Sequence, residues 1–310
     1  MNKTPIFSHS FEIEDLGIIE DFVYDVEVED NHNFFANDIL VHNSFFLDVV
    51  KLADKFNNNN DKTDDEICDM VDKFDKDIIQ PTIRKRAVQH FEMLNGFEDA
   101  LFFDREKIGA MLITGKKRYA ISLLDNEGTR YHPRKITVTG IEIKRSSTPA
   151  LMRIKLEEAL HLIFEQDNES VVDFIGTFKS EYISGNYKLN EIAIPTGISD
   201  MEKYTETVKG VPIHVRSAKV ANELIKRNNL DYEIINSGDK IKWVRLKMPN
   251  MIQSDVIAFN DPNMIYDLKL EKYIDYQEMF EKTFIKPLST IIESIGWKMD
   301  IESSLMKEMF

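Results

Sequence analysis

The 310-residue chain has one cysteine, Cys68, and two tryptophans. A single thiol excludes a disulfide framework within the chain and a Cys-rich metal site. No apolar run approaches the roughly 18 residues a bilayer-spanning helix needs, so no membrane association is expected. With no secretory leader either, the expected location is a reducing cytoplasm. There are seven histidines. Outside the first 43 residues they stand at His90, His132, His161 and His214, without metal-ligand spacing. A Gly-rich phosphate loop and a Gly-x-Ser-x-Gly elbow are both absent, which removes two common enzyme signatures.

What is present is unevenly spread charge. The formal net charge is −15. Residues 1–43 hold Glu12, Glu14, Asp15, Glu20, Asp21, Asp25, Glu27, Glu29, Asp30 and Asp38 against Lys3, about −9 in all. A leader this acidic fits capture by a basic partner, aided by electrostatic steering. From Arg105 to Arg145, by contrast, basic residues exceed acidic ones to give about +6. A basic island in an acidic protein is the footprint expected of a nucleic-acid groove, although a solvated basic hairpin has the same composition.

The leader ends in chemistry. In His42-Asn43-Ser44, the Asn43 side-chain amide can attack its own backbone carbonyl, closing a succinimide and releasing the chain from Ser44 onward. His42 stands where an imidazole can protonate the departing amide nitrogen. Ser44 offers a hydroxyl that can accept an acyl group from another chain. Upstream, Val23-Tyr24-Asp25-Val26-Glu27-Val28 alternates as a strand. His32-Asn33-Phe34-Phe35-Ala36-Asn37-Asp38 runs through a turn into Ile39-Leu40-Val41.

These residues resemble the C-terminal block of inteins. The resemblance implies that Asn43 cyclises, His42 is the penultimate histidine and Ser44 is the first residue of the spliced product. It places Asp25 and His32 where inteins hold acid/base groups that couple branch formation to cyclisation; as residues alone, both also read as polar strand-edge positions. Asp38 stands where inteins often have glycine. An N-terminal nucleophile block and a Thr-x-x-His are missing from residues 1–43. The expectation is therefore the C-terminal half of a split intein, part of a Hint fold, poorly ordered until its other half docks. Splicing needs no cofactor.

Residues 44–310 are expected to be α+β. Strands are expected over 44–50, 100–105, 108–114, 117–124, 130–143, 240–247 and 255–259, with a hairpin turn at Asp125-Asn126-Glu127-Gly128. A polar loop is expected over 57–66. Helices are expected over 79–95, after Thr148 as N-cap with Pro149 in the first turn, and near 168–182, 217–227, 271–284 and 286–295. Phe103-Asp104-Arg105-Glu106, Lys116-Lys117-Arg118-Tyr119-Ala120, Ser146-Ser147-Thr148-Pro149, Pro212-Ile213-His214-Val215-Arg216 and Glu278 to Leu288 resemble, in order, a family-B DNA polymerase of the T-even phage type.

That resemblance implies an α/β palm portion over 44–145, a mainly helical thumb over 146–300 and a clamp-binding tail over 301–310. It implies that Lys116, Lys117, Arg118, Tyr119 and Arg216 contact primer-template DNA, with Lys282 and Lys286 as further thumb candidates. Glu106 aligns with a palm glutamate near the metals, an ion pair with Arg105 being the alternative. Leu305, Met306, Met309 and Phe310 would dock on a sliding clamp. A chain resuming at Ser-Phe-Phe-Leu-Asp looks like the family's Asp-Thr-Asp-Ser cut before its serine. The ligands of the two Mg2+ ions, and hence dNTP chemistry, are then expected on the partner chain. Trp243 and Trp297 read as core. The competing reading is a non-catalytic DNA-binding or clamp-associated accessory protein released from a self-cleaving leader.

Overall fold

The computed structural model describes residues 33–36, 39–42, 47–57, 62–93, 104–204 and 210–298. The chain separates into two units, residues 1–56 and 57–310. In the first, β1 (Asn33–Ala36) pairs antiparallel with β2 (Ile39–His42). Asn33 faces His42 across the ladder and Ala36 faces Ile39. Helix α1 (Val50–Phe56) comes next. A strand was expected here, but Leu47 to Val49 have no regular structure and the helix starts at Val50. The Asp48 carboxylate accepts the Val50 N–H at 3.0 Å, satisfying a first-turn donor. The run Lys51-Leu52-Ala53 then favours a helix.

The second unit is α+β, with two three-stranded antiparallel sheets among helices. Helix α2 (Asp64–Phe74) opens inside the expected polar loop. Thr63 caps it, exchanging hydrogen bonds with Glu66 in a capping box. It runs through a π turn (Asp75–Ile79) into α3 (Gln80–Met93). Pro81 lies two residues beyond that turn. Its ring would crowd the carbonyl of residue 77, four positions back, and the widened turn gives that carbonyl room.

Strands β3 (Lys107–Gly115), β4 (Arg118–Asn126) and β5 (Thr129–Thr139) form a meander in the order β3-β4-β5. The expected β4–β5 hairpin is present, with Glu127 and Gly128 both at positive φ. Residues 104 and 105, the described part of the strand expected over 100–105, are not in a strand. Strand β5 stops at Thr139, not Ile143, because Gly140 turns the chain at φ +67° into a short 3-10 turn at Glu142–Lys144.

Helix α4 (Ala150–Glu165) is preceded by Pro149 at the cap, not Thr148. The Thr148 hydroxyl instead donates to the Glu142 carbonyl at 2.7 Å, closing the turn out of the sheet. Helices α5 (Asn168–Ile183) and α6 (Leu189–Ile192) lead to a second sheet. Its order is β6 (Ile194–Gly197), β7 (Lys240–Arg245), β8 (Val256–Phe259), with α7 (Ile213–Arg227) packed along β8. After α8 (Asn263–Asp267), the expected 271–284 helix is broken. A 3-10 turn at Glu271–Tyr273 precedes α9 (Tyr276–Phe280), which Asp275 caps. A second π turn (Glu281–Ile285) joins α9 to α10 (Lys286–Ser294), again two residues before a proline, Pro287.

One continuous core connects Leu112, Ala120 and Ile141 of the first sheet region to the helices and the second sheet. Phe178 on α5 meets Phe284 edge-on at 4.9 Å between centroids and Phe280 at 5.4 Å, fastening α5 to the last helical rod. Trp243 is buried in the core as expected, its indole N–H donating to Thr196 at 3.1 Å. Trp297 is half-buried against the same core.

Candidate nucleic-acid interface

Lys116 and Lys117 form the two-residue turn between β3 and β4, closed by the Gly115–Arg118 pair. Lys117 takes φ +57°, a left-handed conformation uncommon for a residue with a Cβ. The turn rests on the end of β5: a Cβ added to Gly140 would stand 2.1 Å from the Lys117 carbonyl oxygen. Three strand ends thus meet here, with Lys116, Lys117 and Arg118 exposed at the rim. Tyr119, half-buried, pairs with Ile113 on one side and Thr139 on the other. The result is a cationic, rigidly seated corner with an aromatic side chain at its base, a chemistry suited to phosphate and sugar contact.

Glu106 is not part of that corner. Lys107 pairs with Asn126 at the opposite end of the hairpin, about eight residues or 27 Å along β3 from the turn. The Glu106 carboxylate lies 3.8 Å from Lys107 Nζ. The alternative pairing with Arg105 does not form, because Arg105 is committed elsewhere.

Much of the expected basic groove is in fact neutralised. Asp65, Cys68, Asp69 and Asp72 recur on α2 at the spacing of one helix face, and that face is turned to the sheet. Arg130, His132 and Arg134 alternate along one face of β5. Arg130 Nη2 bonds Asp69 at 2.7 Å and its Nη1 lies 3.3 Å from Asp65. His132 Nε2 lies 3.0 Å from Asp65, and Arg134 bonds Asp64. At the inner end Arg105 bonds Asp72 at 2.7 Å and also Asp125. Arg130 Nε reaches the second Asp125 oxygen at 2.9 Å, and the Gly128 N–H donates to the first at 2.9 Å.

Asp125 is fully buried. Burial alone would raise its pKa. The Gly128 N–H, Arg105 and Arg130 outweigh it and hold the carboxyl below its usual range. Burial also pushes the neighbouring Cys68 thiol up to about 11, despite the opposing pull of Arg130. Sequence reasoning missed this network. The signal was two matched periodicities, carboxylates at helical spacing and basic residues at strand spacing, about 65 residues apart.

Arg216, in the first turn of α7, makes a two-pronged contact with Asp255, Nη2 to Oδ2 being 3.1 Å. That guanidinium, with a side chain 17% exposed, is engaged within the protein, unlike the exposed Lys282 and Lys286 one helical turn apart. Arg216 holds the Asp255 carboxyl well below its usual range.

Among the described residues no group of three or more His, Cys, Asp or Glu side chains converges to hold a metal ion. The carboxylates of the α2 face serve arginines and histidine instead, so the residues described do not fit a Mg2+ site. No helix among them is long and apolar enough to cross a membrane. Asp25, His32, Asn43, Ser44, Leu305, Met306, Met309 and Phe310 lie outside the described residues.

Homologues over most of the chain are family-B DNA polymerases of phages and archaea. The DNA-directed DNA polymerase of Escherichia phage RB69 is 29% identical over 284 residues, covering 86% of this chain and 31% of its own length. That of Enterobacteria phage T4 is 26% identical, covering 84% of this chain and 30% of its own. A DNA polymerase of Thermococcus sp. (strain GE8) is 25% identical over 309 residues, covering 96% of this chain and 15% of its own. The chain thus spans less than a third of the length of these relatives. No family model matches it.

Proposed function

We propose that residues 44–310 are the C-terminal palm and thumb segment of a template-directed DNA polymerase, and that residues 1–43 are the C-terminal fragment of a split intein. The observation carrying the polymerase reading is the likeness to phage DNA polymerases across 86% of the chain, a share that matches the length of 44–310. The Thermococcus match leaves at most about a dozen residues outside it, so it runs into the leader. On this reading residues 44–145 complete a palm, 146–300 form a thumb and 301–310 seek a sliding clamp through Leu305, Met306, Met309 and Phe310.

In splicing, Asn43 closes on its own carbonyl with His42 as proton donor, and the Ser44 hydroxyl receives the partner's acyl group, aided by Asp25 and His32. Support on the intein side is the β1–β2 register, which sets His42 across from Asn33, the residue after His32. The joined product then binds primer-template DNA at Lys116, Lys117, Arg118 and Tyr119. Its Mg2+ ligands and most dNTP contacts belong to the partner segment.

The test is to mix the purified chain with a candidate partner chain carrying an N-intein and track the products by mass spectrometry. A ligated polypeptide lacking residues 1–43, with nucleotide incorporation that neither chain has alone, is the expected result. Incorporation by this chain alone overturns the assignment of the Mg2+ ligands to the partner segment. Failure of any partner reaction to depend on Asn43 overturns the intein reading.

A further inference from the structure

The paired faces of α2 and β5 have a graded architecture. At the inner end the Asp125 side chain is 1% exposed and Arg105 16% exposed, so that end is desolvated and stays closed. At the outer end Arg130 is 25% and Arg134 33% exposed, while Asp65, Asp64 and Asp69 are 49%, 55% and 76% exposed. Exposed pairs of this kind contribute little each and are readily screened by salt. A phosphate diester offers guanidinium the same bidentate, charge-assisted geometry as a carboxylate. Asp64, Asp65 and Asp69 therefore occupy positions that backbone phosphates could take at low cost, whereas Asp72 and Asp125 do not.

We propose that Asp64, Asp65 and Asp69 of helix α2 act as an internal phosphate mimic, covering a second, conditional nucleic-acid site formed by Arg130, His132 and Arg134 on β5. The site is separate from the Lys116–Arg118 corner, which lies at the other end of the β3–β4 hairpin. In the free chain the mimic keeps these arginines from capturing nucleic acid indiscriminately. When single-stranded nucleic acid is held nearby, its phosphates displace the outer aspartates while the inner Asp72–Arg105–Asp125 chain of ion pairs keeps α2 tethered. The inference goes beyond the polymerase reading and does not require it, because binding is read without catalysis or splicing.

The experiment measures binding of the full chain to a fluorescent oligothymidylate across a salt series. Replacing Asp64, Asp65 and Asp69 together by Asn is expected to tighten binding about tenfold at low salt. It should also steepen the dependence of log K on log salt by about 1.4, two freed arginines at about 0.7 each. A control of equal charge change, Asp231→Asn with Glu233→Gln and Glu293→Gln, alters exposed acids on other elements and should give much less. Adding Arg130→Ala and Arg134→Ala to the triple-Asn variant should remove the gain. Equal gains in the two triple variants, or a gain that survives loss of both arginines, overturn the proposal. If the triple variant does not fold, Asp69→Asn alone replaces the most exposed partner and should tighten binding about threefold; no change in that variant is equally fatal.

Discussion

Gly140 and the Lys117 carbonyl are in backbone contact: no side chain fits between them, a Cβ at residue 140 falling 2.1 Å from that oxygen. With φ +67° at Gly140, substitution by alanine adds left-handed strain to the clash. Gly140→Ala should cost about 2–3 kcal/mol by denaturant unfolding. Because the displaced element is the Lys116–Lys117 turn, the same variant should lose DNA affinity beyond what its lower stability explains. Unchanged affinity in the folded variant would detach the corner from DNA binding.

Asp125 couples stability to acid. Its carboxyl is held below the usual range in the folded chain, whereas an unfolded aspartate titrates at about 3.9. Its contribution is therefore complete above about pH 4 and drains away as pH falls through the lower folded value. Asp72, depressed first by its hydrogen bond from Lys76 and then by Arg105, and Asp255, depressed by Arg216, add in the same direction. Asp125→Asn should cost about 3 kcal/mol or more at pH 7, since it leaves Arg105 and Arg130 under-compensated. Its unfolding free energy should vary less than wild type between about pH 4.5 and 2.5, measured by urea titration at each pH.

The cationic corner and Arg216 should separate in assay. Lys116→Ala with Lys117→Ala should weaken duplex binding and flatten the salt dependence by about 1.8, at about 0.9 per lost phosphate contact, with little loss of stability. Arg216→Ala should do the reverse, lowering stability by about 1 kcal/mol through the broken Asp255 pair while the salt slope stays put. A flattened slope in Arg216→Ala would return that residue to the DNA surface.

Among the described residues the buried Tyr182 hydroxyl has no hydrogen-bond partner. It sits among Phe178, Tyr187, Tyr276 and Phe280, and burial pushes the phenol well above its usual range. A stranded buried hydroxyl costs about 1–3 kcal/mol. Tyr182→Phe keeps the ring contacts and should raise the unfolding free energy by about 1 kcal/mol; a loss of stability would reveal an unrecognised partner.

For the leader, Asn43→Ala should abolish release of residues 1–43 in the presence of the partner chain. Ser44→Ala should block ligation yet leave some cleavage at Asn43. Intact-mass spectra distinguish the two, and ligated product at normal yield from either variant removes the assignment.

Much of this architecture could be read from local chemistry. Asp125 to Gly128 announced the β4–β5 hairpin, and the β-like stretches at 240–247 and 255–259 located β7 and β8. What stayed hidden was set by longer-range physics. Helix α2 begins in a stretch that reads as a polar loop because its first turn is all acid, Asp64, Asp65 and Glu66, and the residues it buries, Cys68 and Val71, come only after it. Its partners on β5 are remote in sequence, so composition suggested an open basic groove where the chain supplies its own counter-charge. The turn lysines were legible as candidates, but their seating on Gly140 was not, since it depends on where the third strand ends.

The two π turns have a consequence for how this chain tolerates change. Each admits one surplus residue, which rotates everything downstream by about 100° about the helix axis. Leu288, Ile291 and Ile292 face inward only with that rotation in place. Excising one residue from 281–285 would give a more regular rod, yet would swing those three side chains toward water. Here a local irregularity is the condition for correct phasing, and single-residue deletions should be worse tolerated than most substitutions at the same positions.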